Sequence, residues 1–175
     1  MSRAAPASLD STPSINRDVL AGALAGQIAG LVMAVAVMAV FTVFLGKSPL
    51  YPVQVIGSFV FGDAALAGFH LGALLAGLVL HQLGPSLFWG GVFGAIAGRL
   101  ELRSRLALAV TGLAIGAVSQ LLDVHVVLPI VMKALHGHDL WAEQVPVVWS
   151  WIAHLVFGLA LVTFPWCTRW LDERL

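Results

Sequence analysis

The sequence predicts an all-α transmembrane helical bundle of four spans. Three observations lead there. The chain is 59% hydrophobic and only 10% charged, with a mean hydropathy of +0.94; soluble domains carry about 25% charged residues. Its apolar runs reach membrane-crossing length, about 20 residues or more. Glycines recur within them every four residues, the spacing that lets helix backbones approach closely in lipid. A formal net charge of zero leaves no basic face for phosphates, so nucleic acid is excluded as a partner and the bilayer takes its place.

Residues 1–15 are rich in Ser, Pro and Ala without apolar periodicity and read as a disordered tail, leaving 16–175 as a single bundle domain. The apolar run that follows is too long for a signal peptide, and Arg17-Asp18 interrupts the approach to it. The first span is Val19 to Leu45, with Gly22, Gly26 and Gly30 on one stripe and Gln27 beside it, placed to hydrogen-bond across that contact. Gly46 to Gly62 opens with turn residues, Gly46, Pro49 and Pro52. It then has too few apolar residues to span, so an interfacial or re-entrant segment is expected, with Tyr51 at the headgroup level.

Gly68 to Gly98 is the second span, or two short helices in a five-span alternative. Pro85 has no N–H and Gly84 loosens the same turn, so a continuous helix here is expected to kink at Gly84-Pro85. Gly90, Gly94 and Gly98 form a second stripe. A straight helix over this stretch is about 46 Å long, so it must tilt, bend or protrude, and it buries Trp89 away from an interface. The third span runs from Leu106 to about Leu128, carrying Gly112 and Gly116 on one face, and Pro129 ends or kinks it. Lys133 to Gln144 reads as a polar loop, with His136, His138, Asp139 and Glu143. Val145 to Trp170 is the fourth span, with tryptophans near both ends as in an aromatic belt.

Charge counting selects the topology. Four spans place Arg3, Arg17, Arg99, Arg103, Arg105, Arg169 and Arg174 on one side and only Lys47 and Lys133 on the other, seven against two; five spans give six against three. The four-span count has the stronger bias, and puts both termini in the cytoplasm.

Ionisable residues inside spans are costly and point to function. The candidate cofactor ligands are His81, His125, His154 and His70, since b-type haem takes axial histidines from facing helices. A transition-metal set would draw on His70, Asp123, His125 and His154. His81 with His125 or His154 are the candidate haem pairs, and the bland alternative is that each histidine only hydrogen-bonds across helices. No H-x-x-x-H, no E-x-x-H, no nucleophile motif and no phosphate loop occurs, and Cys167 is the single cysteine, so no catalytic residue is assigned.

The glycine-rich second span with His81, the Asp123-x-His125-x-x-Leu128-Pro129 end of the third and Ala153-His154-Leu155-x-Phe157-Gly158 in the fourth resemble a broad group of small bacterial four-helix membrane proteins. The resemblance covers most of residues 19–168. It implies a bacterial inner-membrane bundle and carries over no functional residue. The leading expectation is a non-catalytic helical subunit packing in a larger complex, of respiratory or electron-transfer type, or as a homo-oligomer. The alternatives are a haem b or metal-binding electron-transfer protein using His81, His125 and His154, and a small channel or carrier with Asp123 on its path.

Overall fold

A computed structural model describes residues 15–174. All regular structure among them is helical. The expected tail over 1–15 lies outside them except for Ile15, which is already the first residue of a helix. Six helices follow in order: α1 (Ile15–Leu45), α2 (Tyr51–Phe61), α3 (Leu71–Arg99), α4 (Arg105–His136), α5 (Leu140–Gln144) and α6 (Val147–Asp172). Four of these, α1, α3, α4 and α6, are long and apolar enough to cross a membrane.

The stretch from 71 to 99 is thus one helix with a break, not two helices joined by a loop. Its backbone leaves the helical region at Gly84 (φ −88°, ψ −105°), inside a widened π-type turn over Gln82–Ser86. Helix α4 also continues past the boundary expected from sequence. It passes through a second π-type stretch, Gln120–Val127, then absorbs Pro129 in the first turn of the next α segment and ends at His136. The widened turns just before it make room for Pro129, whose ring and missing N–H would break a regular α-helical ladder. The expected polar loop is therefore short. Gly137, at φ +83°, closes α4, and Asp139 caps α5 by accepting from the Ala142 N–H at 3.1 Å.

The break in α3 changes its packing partner. The half after the break lies along α1, the half before it along α2. Both contacts are built on glycine. A Cβ on Gly22 would fall on the Gly90 carbonyl oxygen, and one on Gly26 would lie 2.8 Å from the Gly90 Cα. On the other half, a Cβ on Gly57 would meet the Ala73 backbone and one on Gly77 the Val53 backbone. The stripe Gly22-Gly26-Gly30 therefore faces Ser86-Gly90-Gly94, while Gly98 sits against the Asp18 side chain. Gly112 and Gly116 oppose Gly158 and the His154 backbone on α6. Helix α6 also packs on α1, so α1 is held between α3 and α6. Phe93, Leu108, Phe157, Leu161 and Phe164 fill the core between these close contacts.

One end of the bundle gathers the start of α1, the end of α3, the start of α4 and the end of α6. Arg17 pairs there with Asp172, and Ser104 caps α4 by accepting from the Ala107 N–H at 3.0 Å. Helices α2 and α5 cover the opposite end, tied together by the Tyr51 hydroxyl, which donates to Gln144 Oε1 at 2.6 Å. Segment 46–62 is thus a short helix folded onto α3 rather than a span.

Candidate functional site

Swinging the first half of α3 onto α2 leaves space behind the break. A cavity of about 520 Å³ occupies it, bounded by all six helices, α5 through Trp141. That volume lies within the usual range for small-molecule pockets, about 300–1,000 Å³. Both π-type turns border it, through Gly84 and Ser86 on α3 and through Asp123 and Val124 on α4. Such turns are enriched at functional sites because they re-aim side chains within a helix.

Three ionisable side chains line this cavity, each from a different helix: His81 on α3, Asp123 on α4 and His154 on α6. Their surroundings define which atoms remain free. His154 is buried, at 8% exposure, and its Nδ1 lies 2.9 Å from the Ser150 carbonyl oxygen. A carbonyl only accepts, so Nδ1 carries the proton and Nε2 holds a lone pair. His81 reaches the same tautomer through a relay. Gln27 Nε2 donates to the Gln82 carbonyl at 2.8 Å, and Gln82 Nε2 donates back to the Gln27 carbonyl at 3.2 Å. The second of these bonds orients the Gln82 amide so that Oε1 faces His81 Nδ1 at 3.1 Å. The His81 Nδ1 is therefore the donor, and its Nε2 is also a free acceptor. The expected cross-helix role of Gln27 is met, and it also answers the break, since a carbonyl of the widened turn gains a second donor.

Asp123 accepts from the Trp89 indole N–H at 2.7 Å through Oδ2. Trp89 is buried away from either end of α3, and this bond satisfies its indole N–H there. Above His154 the network continues, with Ser150 Oγ donating to Gln120 Oε1 at 2.8 Å. Gln120 Nε2 and the Trp141 indole nitrogen are buried with no hydrogen-bond partner among the described residues.

The other candidates lie elsewhere. His125 is exposed on the outer surface of α4 and does not line the cavity. It lies two residues from Asp123, about 200° round the helix. The His81–His125 pairing is therefore not formed, whereas His81 and His154 share the cavity. His70 caps α3: its Nδ1 accepts from the Ala73 N–H at 2.9 Å, and its ring lies 4.7 Å from that of Phe61. The set His70, Asp123, His125 and His154 is not brought together, and no group of three or more His, Cys, Asp or Glu suited to a metal occurs among the described residues.

A smaller cluster sits at the end covered by α2 and α5. His138 bridges Glu143 (Nδ1 to Oε1, 2.8 Å) and Asp63 (Nε2 to Oδ2, 3.3 Å). These two carboxylates, Glu143 first, raise the His138 pKa above the ordinary imidazole value. His136, by contrast, donates from Nε2 to the Phe59 carbonyl at 3.1 Å and joins α4 to α2.

Sequence reasoning missed Trp89, Gln82, Ser150 and Trp141 as parts of the site. For Trp89 the signal was present. An indole N–H and a carboxylate buried in neighbouring spans both require a partner, and each is the other's simplest solution. No protein-family model, no curated protein and no solved structure matches this chain.

Proposed function

We propose that this protein is an integral-membrane four-helix bundle, with both termini cytoplasmic, that binds a small lipid-soluble molecule in the cavity behind the α3 break. The observation that carries the proposal is the meeting of His81, Asp123 and His154 on one cavity wall system lined otherwise by apolar and aromatic side chains. Mostly apolar walls with a few convergent polar groups are the mark of a small-molecule site. The membrane setting is supported by the four long apolar helices and by the arginines Arg17, Arg99, Arg103, Arg105, Arg169 and Arg174 at one end, opposite Lys47 and Lys133.

The expectation of an accessory subunit drew on the glycine stripes, the small size of the chain and the lack of catalytic motifs. Those stripes are closed within the chain, Gly22 to Gly30 on α3 and Gly112 to Gly116 on α6, so they offer no surface to a partner. The test is extraction of the purified protein with organic solvent, followed by mass spectrometry. A stoichiometric lipophilic compound is expected from the wild type and in reduced amount from Ala34→Phe, which adds a ring at a lining position of the cavity. Equal extracts from both would defeat the reading.

A second reading is haem b or a transition metal held by His81 and His154. It is favoured by the matching tautomers, since ligating histidines characteristically donate the other ring N–H to a carbonyl. It is disfavoured for haem because no lysine or arginine lines the cavity to meet the propionates. A reduced-minus-oxidised absorbance spectrum and metal analysis decide it.

A further inference from the structure

We infer that the cavity recognises a bilayer-dissolved hydroquinone, with His154 and Asp123 accepting hydrogen bonds from its two hydroxyl groups and His81 lining the same space; this rests on the small-molecule reading above. Three features support the inference.

The first is the polarity of the site. His81 and His154 each commit Nδ1–H to an oxygen and keep Nε2 as an acceptor. Asp123 commits one carboxylate oxygen to Trp89 and keeps the other. The ionisable groups thus present acceptors and call for a ligand that brings donors, while the unpartnered indole N–H of Trp141, another lining residue, is a donor that a hydroxyl oxygen can accept from. A hydroquinone brings two O–H donors at opposite ends of one ring, which suits acceptors supplied from different helices. A lipophilic ammonium would need one carboxylate and would leave both imidazoles unused. Haem would bring two further carboxylates into a cavity without cations.

The second is the wall material. Trp89, Trp149 and Phe157 line the same space. Aromatic faces bury a ring well, and their quadrupoles favour offset or edge-on packing against it.

The third is the entrance. Leu83, Phe88 and Val127 line the cavity and are also on the outer surface, at 64%, 61% and 46% exposure. The rim therefore lies on the side of the bundle beside the α3 break, between α3 and α4, and not at a helix end. In a bilayer that rim faces hydrocarbon, so the ligand arrives from the lipid phase, and a hydrophobic tail can remain there while the ring sits inside.

The test uses the full chain in lipid nanodiscs under anaerobic conditions, titrated with decylubiquinol and followed by tryptophan quenching. The controls are its dimethyl ether, which has the same shape without donors, and dodecyltrimethylammonium. The diol is expected to bind about ten-fold or more tightly than the ether, because the ether leaves buried acceptors unpaired. His154→Phe and Asp123→Asn are each expected to reduce that preference to about three-fold or less while ether binding persists. Asp123→Asn serves if the histidine variant does not elute as a helical, monodisperse species. Equal binding of diol and ether, with both weakened in Ala34→Phe, overturns the hydroquinone inference and leaves the cavity reading standing. Preference for the ammonium likewise overturns it. No binding of any probe, together with an empty solvent extract, overturns both.

Discussion

The indole N–H of Trp89 donates to Oδ2 of Asp123 at 2.7 Å, joining α3 to α4 beside the cavity. These two helices make only limited contact otherwise, because the close glycine contacts tie α3 to α1 and α4 to α6. The bond therefore closes the weakest side of the bundle. Trp89→Phe is expected to destabilise by about 1 kcal/mol, the scale of interhelical hydrogen bonds in membranes. A double-mutant cycle with Asp123→Leu, read by unfolding in mixed micelles, should return a favourable coupling. A coupling of zero would show that the contact contributes nothing.

The glycine contacts predict a sharp contrast in tolerance. Gly22→Val places side-chain atoms on the Gly90 carbonyl and the Gly94 backbone, which cannot move without parting α1 from α3. It should prevent folding, seen as loss of a monodisperse species. Gly68→Ala meets nothing within 4 Å, and its stability should change by no more than about 0.5 kcal/mol. Similar behaviour of the two would refute the α1–α3 register.

The Gln82 amide, held by the main-chain carbonyl of Gln27, orients His81. Gln82→Leu removes the acceptor at Nδ1, so the His81 ring loses its reason to prefer Nδ1–H. Nitrogen-15 NMR of labelled histidine should show one predominant His81 tautomer in the wild type and a mixture in the variant. An unchanged spectrum would mean that the orientation comes from elsewhere.

The Asp63–His138–Glu143 cluster predicts a pH dependence with a definite sign. The folded chain holds the His138 pKa above 6.5, through the hydrogen bond to Glu143 first and that to Asp63 second. A raised folded pKa stabilises most below the unfolded value, and the effect is lost as pH rises through the folded one. Protection factors of the amides in 137–144, corrected for the base-catalysed intrinsic exchange rate, should fall as pH rises above about 6.5, and His138→Gln should abolish that fall. Protection that falls toward acid would contradict the assignment.

Orientation is tested with single cysteines in a Cys167→Ser background. A membrane-impermeant maleimide applied to intact cells should label Lys133→Cys at once, and Arg103→Cys only after permeabilisation. The reverse pattern would invert the topology.

Much of this was legible in the chain itself. Four long apolar runs, the break at Gly84-Pro85 and the four-residue glycine spacing follow from local chemistry: hydrocarbon demands satisfied backbones, proline removes a donor, and glycine permits close approach. The partner of each stripe was not readable, since a stripe says only that something comes near. Gly57 and Gly77, which lack a four-residue repeat, gave no warning that α2 would dock on α3. The histidines illustrate the same limit. Their depth can be counted along the helix, but His125 and His154 differ in fate because of helix rotation and neighbour order, which depend on all the packing contacts at once. Composition and local chemistry thus settle that the helices are long, apolar, broken at 84 and closely packed. Only the folded arrangement, by sending the two halves of α3 to different neighbours, opens the cavity and brings His81, Asp123 and His154 to its walls, because a cavity is made by what fails to pack and no single helix carries that information.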